Sequence, residues 1–270
     1  MTITGKAPAG DAELLEALAE LAETAGKEIL RHYHPGVEAR LKSDRTPVTA
    51  ADEAAEAIIL PALAKLFPGV ACVAEEASAR SGLPAIDTTS RFLLIDPLDG
   101  TREFLVGNGE FTVNIALIED GAPVVGVVHL PALGTTYLGG PDGASLSVAG
   151  EAPQAIRARS KPADGVIVLA SRSHNQGDEL DRYLQENHVV AERIAAGSSL
   201  KFCRVAEGLA DLYPRFGRTM EWDTAAGHAV LAAAGGHVDT MDGKPMRYGK
   251  PGFANPNFIA YGDWARGNRG

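Results

Sequence analysis

Six acidic residues, Asp52, Glu75, Glu76, Asp96, Asp99 and Asp223, have types and spacing that could do chemistry. The segment Asp96-Pro97-Leu98-Asp99-Gly100-Thr101 follows an apolar run from Phe92 to Ile95, so a short buried strand would deliver Asp96 and the turn after it Asp99. Asp, Pro and Gly are also ordinary turn formers, and a turn alone would explain them. Two carboxylates held that close, however, resist joint ionisation unless a hard cation neutralises them, and magnesium is the natural partner. If a helical turn starts at Gly100 and Thr101, its backbone amides would cradle a phosphate beside that cation.

The other acids each have an ordinary explanation. Thr49-Ala50-Ala51-Asp52 fits a capping box, Glu75 and Glu76 close a predicted strand as a solvated edge would, and Asp223 after Trp222 sits where an acid complements a helix dipole. A nucleophilic mechanism is the rival chemistry, but Cys203 falls on the apolar stripe of a predicted helix and no Gly-x-Ser-x-Gly elbow occurs. His32, His34, His129, His188, His228 and His237 show no metal-type pairing. His174 alone would read as a loop residue and Lys201 as a snorkelling helix lysine.

The elements that must position these residues follow from periodicity. Leu14, Leu18, Leu21, Ala25 and Ile29 mark an amphipathic helix from Asp11, as its cap, to Tyr33, ended by His34-Pro35-Gly36. A second helix is expected from Ala50 to Leu66 behind Thr49, then a strand from Val70 to Ala74 and a loop over 77–90. Phe111 to Leu117 and Pro123 to Leu130 flank Glu119-Asp120-Gly121 as a hairpin that continues through Thr135 to Leu138 and Ala144 to Val148. Thereafter strands Val166 to Ala170, Val189 to Ile194 and Asp211 to Tyr213 alternate with helices Asp178 to Glu186, Ser199 to Gly208 and Trp222 to Ala234. Residues 262–270 are expected to fray. The fold class is α/β, with an α+β subdomain over 11–155 carrying most of the acids and an α/β subdomain over 156–261 carrying Asp223.

A chain of 270 residues can bury a large core, and its formal charge of -10 with no Lys/Arg run argues against a nucleic-acid surface. An anionic substrate would therefore depend on local cations. Cys72 and Cys203 are far apart in sequence and support neither a disulfide framework nor a zinc site, which fits a reducing cytoplasm. With no signal-like start and no long apolar stretch, stable membrane insertion is not expected; peripheral contact at the inner membrane and the oligomeric state stay open.

Taken in order, Asp52, Glu75-Glu76, Asp96 to Thr101, Trp222-Asp223 and Gly235-Gly236 resemble the signature of the lithium-sensitive phosphomonoesterases of the inositol monophosphatase superfamily. Arg102-Glu103-Phe104, Ser171-Arg172-Ser173-His174 and Gly197-Ser198-Ser199-Leu200-Lys201-Phe202 look like its bisphosphate nucleotidases, and the similarity spans Leu14 to Phe258. The resemblance implies an αβαβα sandwich and two or more Mg2+ ions. One would be held by Glu75, Asp96 and the Leu98 carbonyl, the other by Asp96, Asp99 and Asp223. It also implies that Asp52, Thr101 and Glu75 activate a water, and that Gly100, Thr101, Ser171, His174, Gly197, Lys201 and Asp223 meet a small nucleotide substrate. The implied reaction is hydrolysis of adenosine 3′,5′-bisphosphate to AMP and phosphate in sulfur assimilation, with the sulfated analogue as a second substrate and lithium as an inhibitor. The alternatives are an inositol monophosphatase or broad sugar phosphatase and, in another class, a non-catalytic nucleotide or metal sensor.

Overall fold

The computed structural model describes residues 11–41, 47–86, 90–149, 151–172 and 177–264. Helix α1 (Asp11–Arg31) buries the apolar stripe read from the sequence, and its first described residue is Asp11 itself. A two-stranded ribbon, β1 (Arg40–Leu41) and β2 (Pro47–Val48), leads into α2 (Ala50–Leu66), which Thr49 and Asp52 cap reciprocally as expected. Next come β3 (Ala71–Ala74) and α3 (Glu75–Ser81). The expected 77–90 loop is thus helical to Ser81, and Glu75 opens a helix rather than closing a strand. Position 87–89 of that loop lies outside the described residues.

β4 (Phe92–Asp99) runs four residues past Ile95 and ends at α4 (Thr101–Val106). The meander follows as β5 (Thr112–Glu119), β6 (Ala122–Leu130), β7 (Thr135–Gly140), β8 (Gly143–Val148) and β9 (Gln154–Ile156), the last not foreseen. Together with β3 these form a seven-stranded sheet in chain order, antiparallel except for the β3–β4 pair. The second half contributes β10 (Val166–Ser171), α5 (Gly177–Asn187), β11 (Val190–Ala196), α6 (Leu200–Ala206), β12 (Leu212–Arg215), α7 (Ala225–Ala233), β13 (His237–Thr240) and β14 (Phe258–Tyr261). Its five-stranded sheet has the order β11-β10-β12-β14-β13. The expected single helix from Trp222 is a 3-10 turn, Glu221–Asp223, followed by α7. β13 and β14 were missed because four residues each, interrupted by turns, give too short an alternation to read.

Strand parity builds the layers. On β4, Leu93 and Ile95 face α1 and α2 in one buried cluster, whereas Phe92 and Leu94 join Phe202, Val230 and Phe258 in another that includes α6 and α7. α5 covers the far face of the second sheet, where Leu180 and Leu184 meet Val168, Leu212 and Trp264. The order is helix, sheet, helix, sheet, helix. Trp264 is only 7% exposed, so the expected frayed tail is anchored at its start; residues 265–270 lie outside the described residues.

α7 lies unusually close to the first sheet because Gly126 and Gly139, which are cross-strand partners, leave room for its backbone. A Cβ on Gly126 would fall 2.4 Å from the Ala226 carbonyl oxygen, and one on Gly139 2.5 Å from the Val230 Cα. Backbone cannot swing aside as a side-chain tip can, so this pair sets the height of α7 and of the turn that precedes it. Gly139→Ala should lower stability by about 1–3 kcal/mol, read as a lower urea midpoint at unchanged slope; an unchanged midpoint would mean the helix is not seated on these glycines.

Candidate active site

β3 and β4 run parallel with Ala74 paired to Ile95, so Glu75 and Asp96 leave the sheet side by side at one end. Asp99 would ordinarily point to the other face, three residues on. A bulge corrects this: Asp96 pairs with Asn114 and Asp99 with Thr112, so the extra residue on β4 returns Asp99 to the face of Asp96. Thr112 and Asn114 both reach Asp99 Oδ2, at 3.4 and 3.3 Å. The Leu98 side chain, buried at 1% exposure, goes into the α1–α2 core while its carbonyl lies 3.5 Å from Thr101 Oγ1.

Gly100 then takes φ of +91°, a region that favours glycine, and starts α4. Thr101 Oγ1 donates to Asp52 Oδ1 at 3.3 Å, while the other Asp52 oxygen accepts from the Thr49 amide and hydroxyl at 2.8 and 2.7 Å. Asp52 is therefore both the helix cap read from the sequence and the partner of Thr101, one oxygen for each.

The second half closes over this end through Ser199, which is 1% exposed. Its amide donates to Asp99 Oδ2 at 2.6 Å, its hydroxyl lies 2.9 Å from the same oxygen and 2.7 Å from the Asp223 carbonyl, and it accepts from Asn114 Nδ2 at 2.8 Å. Asp223 Oδ2 caps its own turn through the Met220 amide at 2.8 Å. Glu221 in that turn is fully buried and accepts from the Gly249 and Lys250 amides and the Lys250 ammonium, at 2.7, 2.9 and 2.6 Å. The sequence pattern places Ser199 only within the Gly197 to Phe202 motif and at a helix start, and does not single out Asn114, for which the polar Asn within an otherwise apolar strand run is the available signal.

Oxygens of Glu75, Asp96 and Asp223 lie within 4.8 Å of one another, the one such metal-competent group found among the described residues. Burial, then the charges of Asp99 and Glu75, push the Asp223 carboxyl well above its ordinary pKa, with the Met220 amide and Arg215 opposing. All the cluster's donors are hard oxygens, with no His or Cys among them, which fits magnesium or a similar cation rather than zinc.

Glu75, Asp96, Leu98, Asp99, Gly100, Thr101, Ser171, Lys201 and Asp223 all line one cavity of about 580 Å³. Asp52 stands behind Thr101 rather than on the wall. Gly197 is also off the wall, since its amide donates to Glu110 Oε2 at 2.8 Å and a Cβ there would meet Glu103 Cγ at 2.6 Å; Ser198, with φ of +42°, lines the cavity instead. His174 lies outside the described residues. Lys201 does not snorkel: it is 3% exposed, its Nζ donates to the Ala196 and Ser198 carbonyls at 3.3 and 2.5 Å, and burial lowers its pKa to about 8. Arg215, absent from the sequence reading, lines the same cavity at 4% exposure, and its Nε has no hydrogen-bond partner among the described residues.

Residues 11–266 match the model of the inositol monophosphatase family. The chain is 45% identical over 253 residues to the 3′(2′),5′-bisphosphate nucleotidase CysQ of Salmonella typhimurium, covering 91% of this chain and 98% of that one. It is 44% identical to the protein of the same name from Escherichia coli, with the same coverage. Among solved structures, CysQ from Bacteroides thetaiotaomicron superposes with a TM-score of 0.75 at 35% identity, covering 92% of this chain and 97% of that one. An inositol monophosphatase from Anabaena superposes with a TM-score of 0.74 at 25% identity, over 93% of this chain and 92% of its own.

Asp96 belongs to the oxygen cluster and Asp52 does not. Asp96→Asn should therefore raise the magnesium dissociation constant by about 10- to 100-fold, the loss of a charged contact, and Asp52→Asn should change it little. Calorimetry that finds the two variants equal would contradict this division.

Proposed function

The chain belongs to the inositol monophosphatase family, and within it we propose that it is a metal-dependent 3′(2′),5′-bisphosphate nucleotidase that converts adenosine 3′,5′-bisphosphate to AMP and phosphate. The observation that carries the substrate choice is that one cavity joins an acidic oxygen cluster to two buried cations, Lys201 and Arg215. The cluster suits a phosphate held through metal; the cations suit a second phosphate held directly. An inositol monophosphate offers one phosphate only. The sulfated analogue, carrying the same two phosphate positions, is the proposed second substrate, and sulfur assimilation in the cytoplasm is the proposed setting. Among the described residues no helix is long and apolar enough to cross a membrane.

We assign two or more Mg2+ ions to the site, with Glu75, Asp96 and the Leu98 carbonyl as donors on one side and Asp96, Asp99 and Asp223 on the other. Bound there, magnesium would polarise the phosphoryl oxygens, lower the pKa of a water and stabilise the leaving oxygen. The chain's own part is to orient and to take a proton. Thr101 Oγ1, tied to Asp52 Oδ1, can accept the proton of an attacking water while passing its own to that carboxylate, with Glu75 holding the water from the other side. Gly100 has no side chain to block the approach of a phosphoryl oxygen to the first turn of α4.

On the cationic side an ammonium has three donors, two of which Lys201 spends on carbonyls, leaving one for a ligand. Those carbonyl bonds hold the ammonium rigid against Tyr213, whose ring centroid is 5.1 Å from Nζ. Arg215 lines the same side of the cavity, and Ser171, at the end of β10 beside Ala196, stands at the same rim.

Lys201→Ala and Arg215→Met should each lower kcat/KM for adenosine 3′,5′-bisphosphate by about 10- to 100-fold, a charged contact of about 1.5–3 kcal/mol. Hydrolysis of a nucleoside 3′-monophosphate should change little in Arg215→Met, and in Lys201→Ala, which also releases the Ser198 carbonyl, should fall less than that of the bisphosphate. Equal losses on both substrates would assign these residues to general architecture, and turnover that survives exhaustive chelation would end the metal-dependent reading.

A further inference from the structure

α3 carries Glu75 at its first position but has little of its own to hold it there. It is seven residues long, too short to persist alone, and its N-cap, Ala74, supplies no side-chain acceptor. The acceptor comes from another helix. Glu56 of α2, 1% exposed, takes the Glu76 and Ala77 amides on Oε2 at 3.0 Å each, and its Oε1 pairs with Arg80 Nη2 at 2.5 Å. One carboxylate therefore grips both the first and the last turn of α3.

Glu56 also lies four residues after Asp52, so the two share a face of α2. One turn of that helix holds the Thr101 partner and the next holds the Glu75 helix. α2 acts as a ruler between the two groups assigned to the water. An ion pair whose arginine is 54% exposed is poor evidence of a stability role, since solvent screens it. Orientation explains its use here better.

We propose that Glu56 is a positioning residue, which fixes Glu75 relative to Asp96 and to the Asp52–Thr101 pair by capping α3. The proposal rests on the metal-phosphatase function above. It predicts that Glu56 acts on the metal through Glu75 and not through Asp223.

The test is magnesium calorimetry on the full chain as wild type, Glu56→Gln, Glu75→Gln and the double variant, each confirmed folded by circular dichroism. Glu56→Gln should raise the dissociation constant by about 10- to 100-fold, the usual effect of losing a group that orients a ligand. In the Glu75→Gln background it should add almost nothing, and combined with Asp223→Asn it should add in full. A merely structural role would lower the melting temperature but would not single out Glu75 in this way. Unchanged affinity, or effects that add with Glu75→Gln, would overturn the proposal. If Glu56→Gln does not fold, Arg80→Met, which spares the carboxylate, should still weaken magnesium a few-fold, and no weakening would overturn it. Wild type that binds no magnesium and releases no phosphate would instead sink the phosphatase function itself.

Discussion

Mutual repulsion among Glu75, Asp96, Asp99 and Asp223 is the constraint on which the rest of the structure depends. Burial, and then the charges of Asp99 and Glu75, raise the Asp223 pKa, so a folded protein that assembles these acids must hold them from outside the cluster. The holding groups are visible. Asn114, Thr112 and Ser199 fix Asp99, the Met220 amide fixes Asp223, and the Leu98 amide reaches Asp96 Oδ1 at 3.1 Å. A hard dication is the counter-charge that makes such an arrangement favourable, and the same ion is what a phosphate dianion needs to approach an acidic surface.

The two sheets meet at this cluster for the same reason. Ser199 ties the two halves together, its amide donating to Asp99 of the first and its hydroxyl to the Asp223 carbonyl of the second. Around it the packing leaves little slack: a Cβ on Gly100 would lie 3.2 Å from Ser198 Cβ, and Arg172 pairs with Glu110 at 2.9 Å while Glu110 also takes the Gly197 amide. Ser198 is kept in a left-handed conformation that non-glycine residues rarely adopt, held by the Lys201 ammonium on its carbonyl. The cationic side of the cavity is thereby built into the same joint as the acidic side. Both ends of a bisphosphate would be gripped by one rigid unit.

Much of this was legible in the sequence and some was not. The helix behind Thr49, the strand into Asp96 and the meander after it are local patterns of periodicity and capping; the helix stands as read, the strand runs on to Asp99 and the meander gains β9. What escaped was long-range. That Glu75 begins a helix depends on Glu56, on the preceding helix, supplying the cap to the Glu76 amide twenty residues later. That Asp99 shares a face with Asp96 depends on a bulge whose register only β5 defines. Arg215 looks like any strand residue until its burial against a cavity is known. Lys201 was read as an anion contact by resemblance; its burial and its bonds to two carbonyls show the ammonium is also part of the loop's own framework.

The proposed function requires one cavity to hold a phosphate through metal and a second through Lys201 and Arg215. The most direct measurement compares wild-type kcat/KM, in saturating magnesium, for adenosine 3′,5′-bisphosphate and for adenosine 3′-monophosphate, which share the bond to be broken and differ only in the second phosphate. A preference for the bisphosphate of at least about tenfold is expected, one charged contact's worth of transition-state binding. Equal values for the two, or faster turnover of an inositol monophosphate than of either, would contradict it.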